Sequence, residues 1–164
     1  DLFPDKFMRT GVFYPLPTFS DGRKLNVENL PVFLETSSDE VSAVLTDIAR
    51  SLGAKACITD SGGRRMLHLA AVFACNFTNH MLTLGSDLSE RAGFSFDELK
   101  PLISETFMKA IENGPANSQT GPAVRNDKNT VRKHLELLSF DHDLQKIYRE
   151  ISRSIYNYHK KEND

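Results

Sequence analysis

The pattern of apolar and polar positions divides the chain into a strand-rich first part and a helical remainder. Three apolar runs have strand length: Val12–Tyr14, Leu30–Thr36 and Ala54–Thr59. A segment of helical period separates the second run from the third, so the predicted order is strand, strand, helix, strand. Residues 11–60 therefore favour an α/β arrangement, although three strands and one helix are too few for a complete doubly wound sheet.

The helix between the second and third strands has predicted boundaries at both ends. Ser37 is a good N-cap, and Glu40 stands at the spacing of a capping box. Gly53 supplies the C-terminal stop. The residues that define its apolar period are Val41, Val44, Leu45, Ile48, Ala49 and Leu52.

The longest periodic stretch, Ser61–Gly93, contains no proline and predicts a helix of roughly 45 Å at 1.5 Å per residue. Within it, the segment LAAVFAC at Leu69–Cys75 is apolar or small on every side, which predicts that it is covered on every side by its own domain or a partner. A count of 100° per residue places the large apolar side chains on one broad face: Met66, Phe73, Phe77, Met81, Leu84 and Leu88.

The remainder of the chain predicts three further helices and no strand. Ser95 opens the first with Glu98 at capping-box spacing, and Pro101 predicts a bend or a late start of the regular helix. Asn113–Gly114–Pro115 ends that helix. The N-caps of the last two helices are Asp127 and Asp141.

Composition excludes several classes of function. The 164 residues fit one domain, or one small domain with part of another, at 40% apolar and 26% charged residues. A formal charge of −2 with scattered basic residues argues against nucleic-acid binding. No stretch of about 18 apolar residues exists, so no membrane partner is predicted and a cytoplasmic location is expected.

The common catalytic and cofactor motifs are absent. The sequence contains neither G-x-G-x-x-G nor G-x-x-x-x-G-K-[ST], and therefore no phosphate-cradling glycine loop. H-E-x-x-H is missing and no two histidines stand at i,i+4, so no metal site is predicted. G-x-S-x-G is missing too.

Two groups of polar residues remain as candidates. On the long helix, Arg64, His68 and Asn76 share one edge: Arg can bind an anion, His can transfer a proton, and Asn can orient a carbonyl. Pattern alone favours the other interpretation, a solvated helix face whose polar groups satisfy neighbouring backbone.

The second group is the loop with Gln119, Thr120 and Arg125. Gly121–Pro122 stiffens a bend from which Arg125 can project a planar guanidinium toward an anion. A capped connection with Arg125 paired to an acid explains the same pattern.

Five separated stretches resemble a known family. They are GVFYPLPTFS at 11–20, HLAAVFACNFTNHM at 68–81, LKPLI at 99–103, QTGPAVRND at 119–127 and HLELL at 134–138. In this order they are similar to bacterial, Bacteroidetes-type NADP-oxidoreductase-like proteins, in which an uncharacterised helical domain follows a Rossmann-like domain. That family is related to pyrroline-5-carboxylate reductase, ketopantoate reductase and the 6-phosphogluconate dehydrogenase superfamily.

The resemblance implies a mainly α fold: a helical bundle like the C-terminal domain of 6-phosphogluconate dehydrogenase, preceded by the α/β end of a Rossmann-like sheet. Residues 1–60 would be the end of the NAD(P)-binding domain, and residues 61–164 a helical substrate and dimerisation domain. The chain would then begin after the glycine loop. By itself it is expected to be inactive and not to bind NADP measurably.

The resemblance also implies roles for the candidate residues in a cleft that binds NADP and a small carbonyl or imine. His68 would transfer a proton and Asn76 would orient the substrate. Arg64 and Arg125 would bind an anionic substrate group, and Gln119 and Thr120 would be further substrate-binding residues. The dipeptide Tyr14–Pro15 would lie near the nicotinamide, at the carboxyl end of a strand.

Two positions depart from the family pattern. His-Pro often stands where this chain has Tyr14–Pro15, and lysine commonly stands at the place of Arg64. An arginine stays protonated, so Arg64 can bind substrate but is a poor general acid. Proton transfer would then fall to His68, to Tyr14 or to water.

Two hypotheses follow from the sequence. The first is the C-terminal part of an NAD(P)-dependent oxidoreductase that passes hydride between a nicotinamide and a small carbonyl or imine. The alternative is a non-catalytic helical module for dimerisation or nucleotide sensing. Both predict a homodimer through the helical domain, because the apolar middle of the long helix exceeds what one short bundle covers.

Overall fold

A computed structural model describes residues 9–16, 28 and 30–161. The chain forms two compact units, residues 1–85 and 86–164. It is mainly α with one small sheet of three strands, which confirms the predicted fold class. The predicted boundary between residues 60 and 61 stays a prediction. The predicted segment 1–60 and the motif at 11–20 lie partly outside the described residues.

The sheet of the first unit contains the three predicted strands. They are β1 (Gly11–Pro15), β2 (Pro31–Thr36) and β3 (Lys55–Ile58), in the order β1-β2-β3. β2 is antiparallel to β1 and parallel to β3. A parallel neighbour requires a crossover connection, which the helix α1 (Asp39–Ser51) supplies.

The strand register determines which side chains lie on each of the two faces of this sheet. Successive strand residues point to opposite faces, and Val32 and Leu34 on one face are buried. Gly11 belongs to that face, where a Cβ added to it would lie 2.7 Å from Leu45 and 3.1 Å from Val41 of α1. The packed core of the first unit therefore lies between α1 and this face.

The ends of α1 differ from the prediction by one residue. Its N-cap is Ser38, whose hydroxyl accepts the Val41 N–H at 3.3 Å. Ser37 instead accepts the Thr10 N–H at 2.9 Å and ties the helix start to the segment before β1. The capping box predicted from Ser37 is therefore wrong by one position. The predicted stop at Gly53 is confirmed by a φ of 75°.

The predicted long helix is confirmed as helical from residue 61 to 91, but it is not regular. It consists of α2 (Ser61–Ala71), a π-helical segment (Val72–Phe77) and α3 (Thr78–Arg91). A π turn holds one residue more than an α turn, so it rotates everything after it. The count of 100° per residue, which placed Met66 to Leu88 on one face, therefore does not hold through Val72–Phe77.

Within the described chain, the apolar middle of this helix is exposed. Leu69 is 49% exposed and Phe73 63% exposed, and Cys75 is exposed too. The prediction that LAAVFAC is enclosed on all sides is therefore not met by the chain itself.

In the second unit, a 3₁₀ turn (Phe96–Leu99) leads into α4 (Lys100–Asn113). Ser95 caps the turn and Pro101 stands in the first turn of α4, which confirms the late regular start. Gly114, at a φ of 83°, ends α4 as predicted.

The last two helices are α5 (Lys128–Leu137) and α6 (His142–Lys161). Both predicted caps are confirmed: Asp127 accepts the Thr130 N–H at 3.0 Å, and Asp141 accepts the Leu144 N–H at 2.9 Å. His134 Nδ1 lies 2.7 Å from the hydroxyl of Tyr148 and joins the two helices. Among the helices described, none is long and apolar enough to cross a membrane.

Candidate functional site

Helix α2 packs on the second face of the sheet through polar side chains. Residues 61, 64 and 68 are spaced by three and four positions, so they share one face of the helix. Two of them, Ser61 and Arg64, bind the carboxylate of Glu35 on β2, and His68 binds Tyr14 on β1. Glu35 and Tyr14 are on the same sheet face, since Glu35 pairs with Val12, two residues before Tyr14.

Glu35 accepts hydrogen bonds at both carboxylate oxygens. The Ser61 hydroxyl donates to Oε1, and Arg64 Nε donates to Oε2 at 3.0 Å. These donors, the Ser61 hydroxyl above all, lower the pKa of Glu35 against an opposing effect of burial. The carboxylate is therefore held ionised and fixes the beginning of α2 on β2.

The hydroxyl of Tyr14 lies 2.8 Å from Nδ1 of His68. The two rings meet edge to face, with centroids 6.4 Å apart. If Nδ1 accepts the hydroxyl proton, the neutral ring carries its own proton on Nε2. The pair then has a donor nitrogen on the side of the imidazole that faces away from Tyr14.

A pocket of ≈ 430 Å³ is lined by Tyr14, Arg64, Arg65 and His68. The exposed Arg65 side chain makes no hydrogen bond or ion pair with any residue that the structure describes. Among the residues that the structure describes, Arg64 is engaged only through Nε. The pocket thus combines two guanidinium groups with a hydrogen-bonded Tyr–His pair.

This combination suits a small anionic substrate with a polar double bond. A guanidinium binds a carboxylate or phosphate through two parallel hydrogen bonds. A histidine or tyrosine within reach of an oxygen or nitrogen that gains negative charge can donate a proton to it. The pocket can therefore bind an anion and supply a proton beside it.

The start of α2 is not a phosphate cradle, despite its pair of glycines. Asp60 caps the helix and accepts the Gly63 N–H at 2.7 Å, so the protein's own carboxylate takes the position of an anion. A Cβ at residue 63 would collide with the Thr59 hydroxyl, which explains that glycine. Within residues 9–16, 28 and 30–161, no three His, Cys, Asp or Glu side chains are placed to hold a metal ion.

Five predicted site residues do not line this pocket: Pro15, Asn76, Gln119, Thr120 and Arg125. Asn76 is exposed on the π-helical segment. Gln119, Thr120 and Arg125 belong to the second unit, where Gln119 Nε2 donates to the Thr120 carbonyl at 3.1 Å. Their roles stay predictions.

The reason given for placing Tyr14–Pro15 near a nicotinamide, its position at the carboxyl end of a strand, is wrong. Because β1 is antiparallel to β2, its carboxyl end lies beside the amino end of β2, where Pro15 pairs with Val32. The rule that ligands bind at the carboxyl ends of parallel strands therefore does not apply to β1. A place for Tyr14–Pro15 near a nicotinamide rests on the family resemblance.

The sequence-based prediction missed two residues of this site. Glu35 is the only charged residue in the apolar run Leu30–Thr36, and that isolation was the available signal. Arg65 adjoins Arg64 on the polar side of the helix, but nothing in the pattern distinguishes it. Neither the partner of Glu35 nor that of Tyr14 follows from local sequence, since 26 to 54 positions separate the bonded residues.

Comparison with known proteins gives two kinds of match. The family described as domain of unknown function DUF2520 matches residues 30–155. No curated protein matches the chain. The solved structure of putative NADP oxidoreductase BF3122 from Bacteroides fragilis is 45% identical, with a TM-score of 0.83 over 91% of this chain and 57% of that one.

A second solved structure, protein TM1727 from Thermotoga maritima, is 21% identical with a TM-score of 0.70. It covers 84% of this chain and 56% of its own, and at this identity it supports the fold alone. This chain therefore spans little more than half the length of either solved protein.

Proposed function

Since this chain belongs to the DUF2520 family, we propose that it is the substrate-binding and proton-donating part of an NADP-dependent oxidoreductase. The name of the Bacteroides fragilis relative supports the cofactor and the reaction class. In this proposal hydride passes from the nicotinamide to a small carbonyl or imine that carries an anionic group. NADP would be bound by a glycine-loop domain, because this sequence contains no such loop.

The Tyr14–His68 hydrogen bond is the observation that carries the proposal. Hydride addition to a carbonyl carbon leaves a negative oxygen, which needs a proton. In this proposal His68, held by Tyr14 at 2.8 Å beside two arginines, donates the proton from Nε2 while its Nδ1 takes up the hydroxyl proton of Tyr14, which water then replaces. Arg64 or Arg65 binds the anionic group of the substrate. Arg64 has the second task of fixing α2 to Glu35.

The test joins this chain to a glycine-loop NADP-binding domain and follows NADPH oxidation with a panel of small keto acids and cyclic imines. His68→Ala is expected to lower kcat by about 10²–10⁴-fold, the usual contribution of a positioned acid, with NADPH affinity unchanged. Tyr14→Phe keeps the ring and removes the hydroxyl, and is expected to give a smaller loss. Arg65→Gln is expected to raise KM for anionic substrates.

His80→Ala is the matched control, because His80 is an exposed histidine of α3 that does not line the pocket. It should leave kcat and KM unchanged. If His68→Ala has the same kcat as the wild type, and both proteins bind NADPH tightly, His68 is excluded as the proton donor.

A second proposal concerns assembly: the helical part forms a homodimer through its exposed apolar side chains. Met66, Leu69, Phe73 and Phe77 are all exposed, and the last two rings pack edge to face at 4.9 Å. A cluster of this kind is typical of an interaction surface. Sedimentation equilibrium at micromolar concentration should find a dimer, and a monomer there would contradict the proposal.

A further inference from the structure

A second pocket lies inside the second unit, between the loop Pro122–Asp127 and helices α5 and α6. Its volume is ≈ 390 Å³, and small-molecule sites typically span about 300–1,000 Å³. None of the predicted site residues lines it, and it shares no residue with the pocket at Tyr14 and His68.

One part of the pocket wall is apolar. Pro122 and Ala123 contribute from the loop, Val131 and Leu135 from α5, and the Tyr156 ring from α6. Ala123 is buried and the other four are half-buried. Such a wall binds the hydrophobic body of a ligand because contact removes apolar surface from water on both sides.

The other part of the wall is cationic. Helix α5 contributes Lys128 and Arg132, and α6 contributes Arg149 and Arg153. Each pair stands at i,i+4, so each helix presents two cations on one face. Four cations from two helices therefore border a single apolar wall.

Two of the four cations are neutralised by acids that lie outside the pocket lining. Arg132 pairs with Glu136 at 2.6 Å, and Arg153 pairs with Glu150. Lys128 and Arg149 have no side-chain hydrogen bond or ion pair among the residues that the structure describes.

The acid in the lining is Asp127, and it is already committed. Its carboxylate accepts the Thr130 N–H at 3.0 Å and the Thr130 hydroxyl at 2.7 Å, as the cap of α5. Thr130 is neutral and does not cancel the charge of Asp127. The four cations therefore outweigh the carboxylates of Asp127, Glu136 and Glu150 by one charge.

We propose that this pocket binds a small amphipathic anion: a ring or short chain that ends in a phosphate or carboxylate. The anionic group would lie between Lys128 and Arg149, and the apolar body against Val131, Leu135 and Tyr156. Charge complementarity selects the anion, and the apolar wall excludes a bare inorganic ion as the preferred ligand. The site is independent of the proposed oxidoreductase function.

Calorimetric titration of the 164-residue chain with phenyl phosphate tests the proposal at fixed ionic strength. Inorganic phosphate carries the charge without the ring, and phenol the ring without the charge. Phenyl phosphate is expected to bind at one saturable site, at least about tenfold more tightly than either part. Phenylacetate in a parallel titration identifies which anionic group the site prefers.

Matched variants separate this site from general electrostatic attraction. Lys128→Gln/Arg149→Gln removes the two unpaired cations and should weaken binding of phenyl phosphate by at least about tenfold. Lys133→Gln/Lys146→Gln removes the same charge from exposed positions of the same two helices outside the pocket. This double variant should leave the binding of phenyl phosphate unchanged. Arg149→Lys should retain most of the binding, and thermal unfolding checks that all variants fold.

Four results would overturn the proposal. They are equal weakening by both double variants, inorganic phosphate binding as tightly as phenyl phosphate, no saturable binding of any of the probes, and a dimer in sedimentation that the variant Lys128→Gln/Arg149→Gln abolishes while phenyl phosphate does not bind.

Discussion

Strand β2 and the helix of residues 61–91 are both rich in apolar side chains, but those of β2 are buried and those of the helix are largely exposed. Leu34 of β2 is 0% exposed, whereas Leu69 of α2 is 49% exposed. No residue of α2, the π-helical segment or α3 is buried. Apolar content alone therefore does not tell which segment forms the core of this unit.

The difference follows from how each element is packed. β2 is the central strand, and α1 covers the face that carries Val32 and Leu34. Helix α2 meets the opposite face through hydrogen bonds and one ion pair, from Ser61, Arg64 and His68. Its polar side faces the sheet and forms the pocket, and its apolar side chains Met66 and Leu69 are left exposed.

The largest effect is expected from Leu34→Ala, which leaves a cavity under α1. Truncation of a fully buried leucine lowers the free energy of unfolding by about 2–5 kcal/mol. Leu69→Ala is the matched change on the helix and should cost less than about 1 kcal/mol in the monomer. Urea denaturation of both variants measures the difference, and equal losses would mean that the helix belongs to the same core.

The next effect is expected from Gly11→Val, which adds a side chain where β1 meets α1. A Cβ there lies 2.7 Å from Leu45 Cδ1 and 3.1 Å from Val41 Cγ1, so these side chains or the helix must shift. Overpacking of this kind costs about 1–3 kcal/mol. Gly85→Val is the control, since a Cβ at residue 85 meets nothing within 4 Å. Equal decreases in the denaturation midpoint of Gly11→Val and Gly85→Val would argue against close packing of α1 on this face.

A smaller and pH-dependent effect is expected from Glu35→Gln. The Ser61 and Arg64 hydrogen bonds lower the folded-state pKa of Glu35 below its ordinary 4.5. Its contribution to stability is therefore complete above pH 4.5 and is lost as the pH falls toward the lowered folded pKa. The wild type should lose stability more steeply than Glu35→Gln below pH 4.5, measured by thermal unfolding at a series of pH values. Parallel curves would show that the polar contact of α2 with β2 does not stabilise the fold.

The smallest effect on the monomer is expected from Phe73→Ser on the π-helical segment. Phe73 is exposed, so the free energy of unfolding at low concentration should change by no more than about 0.5 kcal/mol. Dimer affinity should fall at least about tenfold in sedimentation equilibrium, because the aromatic cluster is lost. An unchanged dimer affinity would show that residues 66–77 do not form the interface.

The sequence alone determined most element boundaries of this chain, because these depend on local chemistry. Caps at Asp127 and Asp141, stops at Gly53 and Gly114, and the late start at Pro101 each act over a few residues. The apolar runs likewise predicted all three strands. The π-helical turn could not be predicted, since the six residues Val72–Phe77 are too few for the apolar pattern to distinguish a π-helical from an α-helical period.

Only the tertiary structure decided which polar residues meet. His68 and Tyr14 were predicted for separate reasons, and the sheet register brings them within 2.8 Å across 54 positions. The same register makes Glu35 the partner of Arg64 and reverses the strand direction assumed for Tyr14–Pro15. Contacts between residues so far apart depend on strand order and helix packing, and no local pattern in the sequence records either.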